Sequence, residues 1–218
     1  MQDGVLNSIK KSKVPFYLTG GTALSRAYLN HRYSDDLDLF VNNDSNFITY
    51  VESCLDQIHS DGFRWDEKRF IKTENFCQYY IIGNSDSSVK LKVDFVNDIA
   101  THFGGLTETK LFFRTDSVRN ILSNKVSALF RLAAKDLVDL VFLSYRFQFD
   151  WSEIVDEARE KDSGIEVSIV AEILSSFPVQ KLDEIFWVAP PDVKKIQNDI
   201  QQMAKDCLEV KSNSLCSI

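Results

Sequence analysis

Apolar residues recur in two rhythms along this chain. Up to about residue 116 short runs alternate with period two or cluster in fours and fives, and beyond it they recur at helical spacing. Residues 1–13 predict a polar lead-in helix with Val5, Leu6 and Ile9 on one side. A short apolar run, Phe16, Tyr17 and Leu18, reaches the pair Gly20 and Gly21, and a helical stretch over 22–29 follows. A strand then begins at the acidic cluster Asp35, Asp36 and Asp38, and residues 42–46 break it. Phe47, Val51, Leu55 and Ile58 give the next helix its buried stripe. The aromatic stretch 63–71 suits an edge strand, and the β-rich runs 76–82 and 90–96 predict a hairpin across the turn-rich residues 83–88. A further short strand is expected at 111–114. The helical rhythm then runs over 117–147, 151–161, 165–175 and 180–186. Pro190, Pro191 and Asp192 start a last helix with Val193, Ile196, Ile200, Met203 and Cys207 on one face. Residues 211–218 are expected to fray. The pattern predicts an α+β fold, with strands and flanking helices over 1–116 and a helical domain over 117–218.

Composition narrows the function classes. A hydrophobic share of 44% and a charged share of 26% over 218 residues describe an ordinary globular chain with enough length for a substantial core. The net charge of -7 argues against broad, sequence-independent coating of nucleic acid, which needs an excess of Lys and Arg facing phosphates. Lys10, Lys11 and Lys13 read as a solvated face, and His59, with no second His at ligand spacing, as a surface residue. Cys54, Cys77, Cys207 and Cys216 form no C-x-x-C pair and follow nothing like a signal peptide, so reduced thiols in a cytoplasm are expected. No apolar run approaches the roughly 20 residues that span a bilayer, so no membrane partner is expected.

The chemistry concentrates in two places. Glycines at a strand-to-helix turn let backbone approach a ligand closely, so Gly20, Gly21 and Thr22 suit the phosphates of a nucleotide. On an extended strand Asp36 and Asp38 share a face opposite Leu37 and Leu39, and paired carboxylates invite a hard cation such as Mg²⁺. Leu91, Val93 and Phe95 alternate with Lys90, Lys92 and Asp94, which puts Asp94 on the polar face of an otherwise buried strand, where it reads as solvent-facing. In a continuous helix over 117–147, Asp136 and Asp139 lie about 20° and 40° around the axis from Lys125. That grouping competes with plain intrahelical pairing of Lys135 with Asp139 at i, i+4.

Gly-Gly, a helix and then Asp-x-Asp on a strand resembles the DNA polymerase beta nucleotidyltransferase superfamily, with 14 residues between Gly21 and Asp36. Leu18 to Leu24 and His31 to Phe40, together with Lys125, Arg131, Asp136 and Asp139, resemble the AbiEii/AbiGii toxin family within it. The resemblance implies a nucleotidyltransferase-like mixed sheet followed by helices, and transfer of a nucleoside monophosphate from an NTP to an acceptor hydroxyl. It assigns Mg²⁺ to Asp36, Asp38 and Asp94, in a two-metal displacement that Asp94 helps by activating the hydroxyl. Gly20, Gly21 and Thr22 would cradle the β and γ phosphates, with Ser34 or Arg32 as a further contact. Lys125 would neutralise triphosphate charge, and Asp136 and Asp139 would orient it or meet the sugar and base. The same resemblance implies the toxin of a bacterial toxin-antitoxin or abortive-infection pair, a cognate antitoxin, and a tRNA 3′ end as acceptor. A catalytically silent binding module, and nucleotide transfer to a small molecule or a protein side chain, are the competing readings.

Overall fold

Strands β1 (Tyr17–Thr19), β2 (Leu37–Asn42), β3 (Arg64–Lys72), β4 (Phe76–Ile82) and β5 (Lys90–Asp98) form one sheet in the order β1-β2-β5-β4-β3. β2 and β5 pair in parallel, and the other neighbours pair antiparallel. The computed structural model describes residues 1–83 and 88–216, so the central part of the predicted β4–β5 turn, 84–87, lies outside the described residues. The chain divides into two compact units. The sheet belongs to the first, made of 1–27, 34–100 and 105–116, while 28–33 and 101–104 join the second with everything from residue 117 on.

Alternation decides the faces of the sheet. Leu37, Leu39 and Val41 of β2 and Leu91, Val93 and Phe95 of β5 are buried, which leaves Asp38 and Asp94 on the opposite, partly solvated face. Behind the apolar face lies α3 (Phe47–Ser60), packed against α1 (Gln2–Ser12). The ring of Phe16 sits 5.1 Å from that of Phe95 and 6.1 Å from that of Phe47, joining sheet to helix. Each such fully buried aromatic contributes roughly 1.5–3 kcal/mol relative to exposure. At the far edge, β3 shifts register between Trp65 and Phe70 and carries exposed Lys68, Arg69 and Lys72. Bulges and charges of this kind discourage another strand from adding to an open edge.

The stretch predicted as helical over 22–29 is helical, beginning as one α-helical turn, α2 (Gly20–Ala23), that widens into a π-helical segment, Leu24–Leu29. One expectation in this unit needs correction. The strand expected at 111–114 does not form. Thr109 and Thr115 hydroxyls donate to the Phe112 carbonyl, a local bond that competes with a ladder. The segment instead closes the β1 edge, with Leu18 N–H donating to the Arg114 carbonyl at 2.8 Å and Asp116 N–H to that of Leu18 at 2.9 Å.

The second unit is helical: α4 (Val118–Ala128), α5 (Ala134–Arg146), α6 (Trp151–Lys161), α7 (Val167–Ser176) and α8 (Val193–Leu208), with 3₁₀ turns at Leu129–Arg131 and Val179–Glu184. Ser117 caps α4 by accepting from Asn120 N–H, and Asp192 caps α8 by accepting from the N–H groups of Lys194 and Lys195. The stripe Ile196, Ile200, Met203 and Cys207 is buried as its spacing predicts, whereas Val193 at the first turn is exposed. The helix expected over 117–147 is broken, because Leu132 adopts φ 51° after the 3₁₀ turn and α5 restarts at Ala134. The tail does not fray as far as residue 216. Asn213 is buried, its side chain donates to the Ser144 and Phe147 carbonyls at 2.7 and 3.0 Å, and its N–H donates to the Phe149 carbonyl.

Candidate active site

A single register line crosses the sheet. Thr19 of β1 is opposite Asp38 of β2, Asp38 is opposite Asp94 of β5, and Asp94 is opposite Gln78 of β4. Directly opposed residues point to the same face, so four polar side chains line up at one level, Thr19 buried and Asp38, Asp94 and Gln78 partly exposed. Gln78 Nε2 donates to Asp94 Oδ1 at 2.8 Å, and Thr19 Oγ1 donates to the buried Asp116 at 2.5 Å. Burial against an apolar opposite face fixes this register, since a slip by one residue would turn every carboxylate into the core.

The glycine turn is fitted to one of those carboxylates. Gly20 has φ 68°, in the left-handed region, and a Cβ there would run into the Asp38 carboxylate, 2.9 Å from its Cγ. Position 20 must therefore lack a side chain for Asp38 to sit where it does. Next to it, the buried Thr22 hydroxyl donates to the Asp36 carbonyl, tying the helical turn to the residue before β2. Asp36 precedes the strand rather than opening it, and the Ser34 carbonyl accepts from Gln2 Nε2 at 2.7 Å.

Lys92 is the residue that sequence reasoning missed. Its Nζ lies 2.9 Å from Asp36 Oδ2 and 3.1 Å from Asp94 Oδ2, so the cation shared by these carboxylates is an ammonium. Burial pulls the Lys92 pKa down, but bonds to Asp36 and Asp94 outweigh it and hold the group above the ordinary lysine range. Among the described residues no group of three His, Cys, Asp or Glu side chains converges in a form ready to hold a metal ion. The donor set nevertheless fits a hard divalent cation in kind: carboxylate oxygens of Asp36 and Asp94 already gather about a positive charge, and the Gly20 cradle seats Asp38 in line with Asp94. A signal was present, because the alternation that exposes Asp94 exposes Lys92 two residues earlier. Gln78 had none, since its register with Asp94 is a tertiary fact.

In the helical unit Lys125, Asp136 and Asp139 do meet, although not through one continuous helix. Lys125 Nζ lies 2.8 Å from Asp136 Oδ1 and 2.6 Å from Asp139 Oδ2, across the break between α4 and α5. Both carboxylates are fully buried. Arg32 engages Asp139 through Nε and Nη2 at 2.7 and 2.8 Å, His31 Nε2 adds a contact at 2.8 Å, and Arg131 reaches Asp136 at 2.8 Å. Burial alone would push the Asp139 carboxyl upward, yet Lys125, His31 and Arg32 hold it well below the usual carboxylate range. Asp139 is thus bound by residues distant in sequence, and the i, i+4 pairing with Lys135 does not account for it.

Comparison with known proteins adds the lineage. The chain is 24% identical over 196 residues to an uncharacterized protein of Aquifex aeolicus, covering 89% of this chain and 88% of the relative. A putative nucleotidyltransferase from Helicobacter pylori superposes with a TM-score of 0.65 at 20% identity, over 95% of this chain and 93% of the other. MenT4, a nucleotidyltransferase toxin of Mycobacterium tuberculosis, gives 0.65 at 15% identity, over 96% and 82%. These likenesses establish the nucleotidyltransferase fold. Residues 6–214 match the model of the family described as nucleotidyl transferase AbiEii toxin of type IV toxin-antitoxin systems, so the chain belongs to the AbiEii toxin family and is a nucleotidyltransferase.

Proposed function

We propose that the protein is a Mg²⁺-dependent toxin that transfers a nucleoside monophosphate from an NTP to an acceptor hydroxyl, with a tRNA 3′ end as the first acceptor to test and a cognate antitoxin as its restraint. The observation that carries this reading is the fit of Gly20 to Asp38 in register with Asp94. A scaffold has no need of a glycine reserved for a carboxylate, and that weighs against a silent binding module. Asp36, Asp38 and Asp94 would hold the metal, which when bound would neutralise the departing pyrophosphate and acidify the attacking hydroxyl. Backbone amides of Gly20, Gly21 and Thr22 would bind the β and γ phosphates, with Ser34 beside them. The acceptor oxygen bonds to the α-phosphorus as the bond to pyrophosphate breaks, and Asp94 takes the hydroxyl proton. Lys125, with Arg32, Asp136 and Asp139, is proposed to act on the nucleotide as well as to stabilise its own helices. All four cysteines are free and three are buried, which suits a reducing cytoplasm. Among the described residues no helix is long and apolar enough to cross a membrane.

The test is incubation with each of the four α-labelled NTPs, Mg²⁺ and either total RNA or RNA-free lysate. Label in a tRNA-sized band, abolished by Asp38→Asn, is expected. Label confined to protein or small molecules would replace the tRNA acceptor, and none in any fraction would favour the silent module.

A further inference from the structure

The proposed metal site already contains a cation supplied by the chain itself. Lys92 Nζ bridges Asp36 and Asp94 at 2.9 and 3.1 Å, on side chains that are 27%, 33% and 14% exposed for Lys92, Asp36 and Asp94. These are two of the carboxylates that the proposed divalent ion would need, and the partial burial of all three groups lessens the screening that weakens surface ion pairs. An ammonium and a divalent cation within a few ångströms of each other repel, so each weakens the other's hold on these carboxylates. Lysine is suited to leaving, because its charge is a compact group on a flexible four-carbon stem. Asp94 on β5 and Asp36, just before β2, would also repel each other without a cation between them.

We infer that Lys92 is a built-in counter-ion that holds Asp36 and Asp94 in place and competes with the divalent cation for them, so that metal loading requires the ammonium to swing out. The inference rests on the proposed metal site and adds a positioning residue that sets its affinity. Metal binding is then a displacement, weaker than the carboxylates alone would give but made to a site that is already assembled.

The test measures Mn²⁺ binding to the whole chain by electron paramagnetic resonance and thermal melting with EDTA or with Mg²⁺, for the parent, Lys92→Met, Lys92→Gln, Lys92→Arg and Asp36→Asn. Lys92→Met and Lys92→Gln are expected to bind Mn²⁺ about tenfold more tightly than the parent. They should melt lower in EDTA and recover more of that loss with Mg²⁺ than the parent gains. Lys92→Arg, which keeps the charge, should show no tighter binding. Unchanged or weaker Mn²⁺ affinity in both neutral variants, with Asp36→Asn binding less, would overturn the competition while leaving the metal site standing. Mn²⁺ binding that Asp36→Asn does not alter would remove the metal site and this inference with it. Having two neutral side chains guards against one of them failing to fold, which circular dichroism would reveal.

Discussion

An alanine at position 20 has nowhere to put its methyl group. Its Cβ would displace the Asp38 carboxylate, and its backbone would have to hold φ near 68°. Gly20→Ala should therefore lose about 1–3 kcal/mol of stability through strain and, by moving Asp38, lose turnover out of proportion to that change. Asp38→Asn separates the two effects, since it keeps the volume and the fold. It should lower turnover at least a hundredfold, about 3 kcal/mol on the transition state, with an almost unchanged melting temperature. Turnover and melting measured on the same preparations decide both cases, and full activity in Asp38→Asn would reject the carboxylate assignment. The residue types at this site were legible in the sequence, because glycine pairs and alternating aspartates announce a backbone approach and a polar face. The contact between Gly20 and Asp38 was not, since it arises only when β1 and β2 pair.

The break between α4 and α5 shows where element-level reasoning succeeds and where it stops. Helical spacing correctly predicted helices on both sides of residues 129–133, but periodicity cannot see a left-handed Leu132 at which the phase resets. Lys125, Asp136 and Asp139 come together because two helices pack, and Arg32 and His31, from a segment early in the chain, complete the cluster. With both carboxylates fully buried, these are not the exposed pairs worth a few tenths of a kcal/mol that a single helix would have offered. Lys125→Met leaves two buried negative charges short of a partner and should cost about 3–5 kcal/mol. Lys135→Ala on the exposed side of α5 should stay within about 0.5 kcal/mol. Kinetics taken below the melting temperature of Lys125→Met then isolate any effect on the nucleotide. The pH dependence has a definite sign. Asp139 is held below its ordinary pKa, so its contribution is complete above the unfolded value of about 3.9 and is lost as pH falls through that value toward the folded one. Urea unfolding of the parent should weaken on this account only below about pH 4, and Asp139→Asn should show a shallower acid slope, whatever its stability at neutral pH. An equal slope in both would assign the acid sensitivity to other carboxylates.

At the scale of the whole molecule, a net charge of -7 is an unusual endowment for a protein proposed to act on RNA. Many of its exposed cations are, moreover, already engaged with carboxylates: Lys11 with Asp61, Lys72 with Glu52, Lys90 with Asp66 and Lys195 with Asp199. A net negative charge disfavours a long stretch of phosphate backbone, so an RNA acceptor is expected to be taken by a short end and recognised by few ionic contacts. That expectation is quantitative, because each phosphate neutralised on single-stranded RNA contributes about -0.7 to the slope of log affinity against log salt. If the acceptor is an RNA 3′ end, the slope for acceptor binding, measured with a non-reactive RNA at fixed NTP and Mg²⁺, should correspond to about two phosphates, roughly -1.4. A slope steeper than about -4 would require an extended basic track of roughly six phosphate contacts. That result would overturn the short-end reading and transfer the acceptor contacts to an extended basic track on this chain or on a partner.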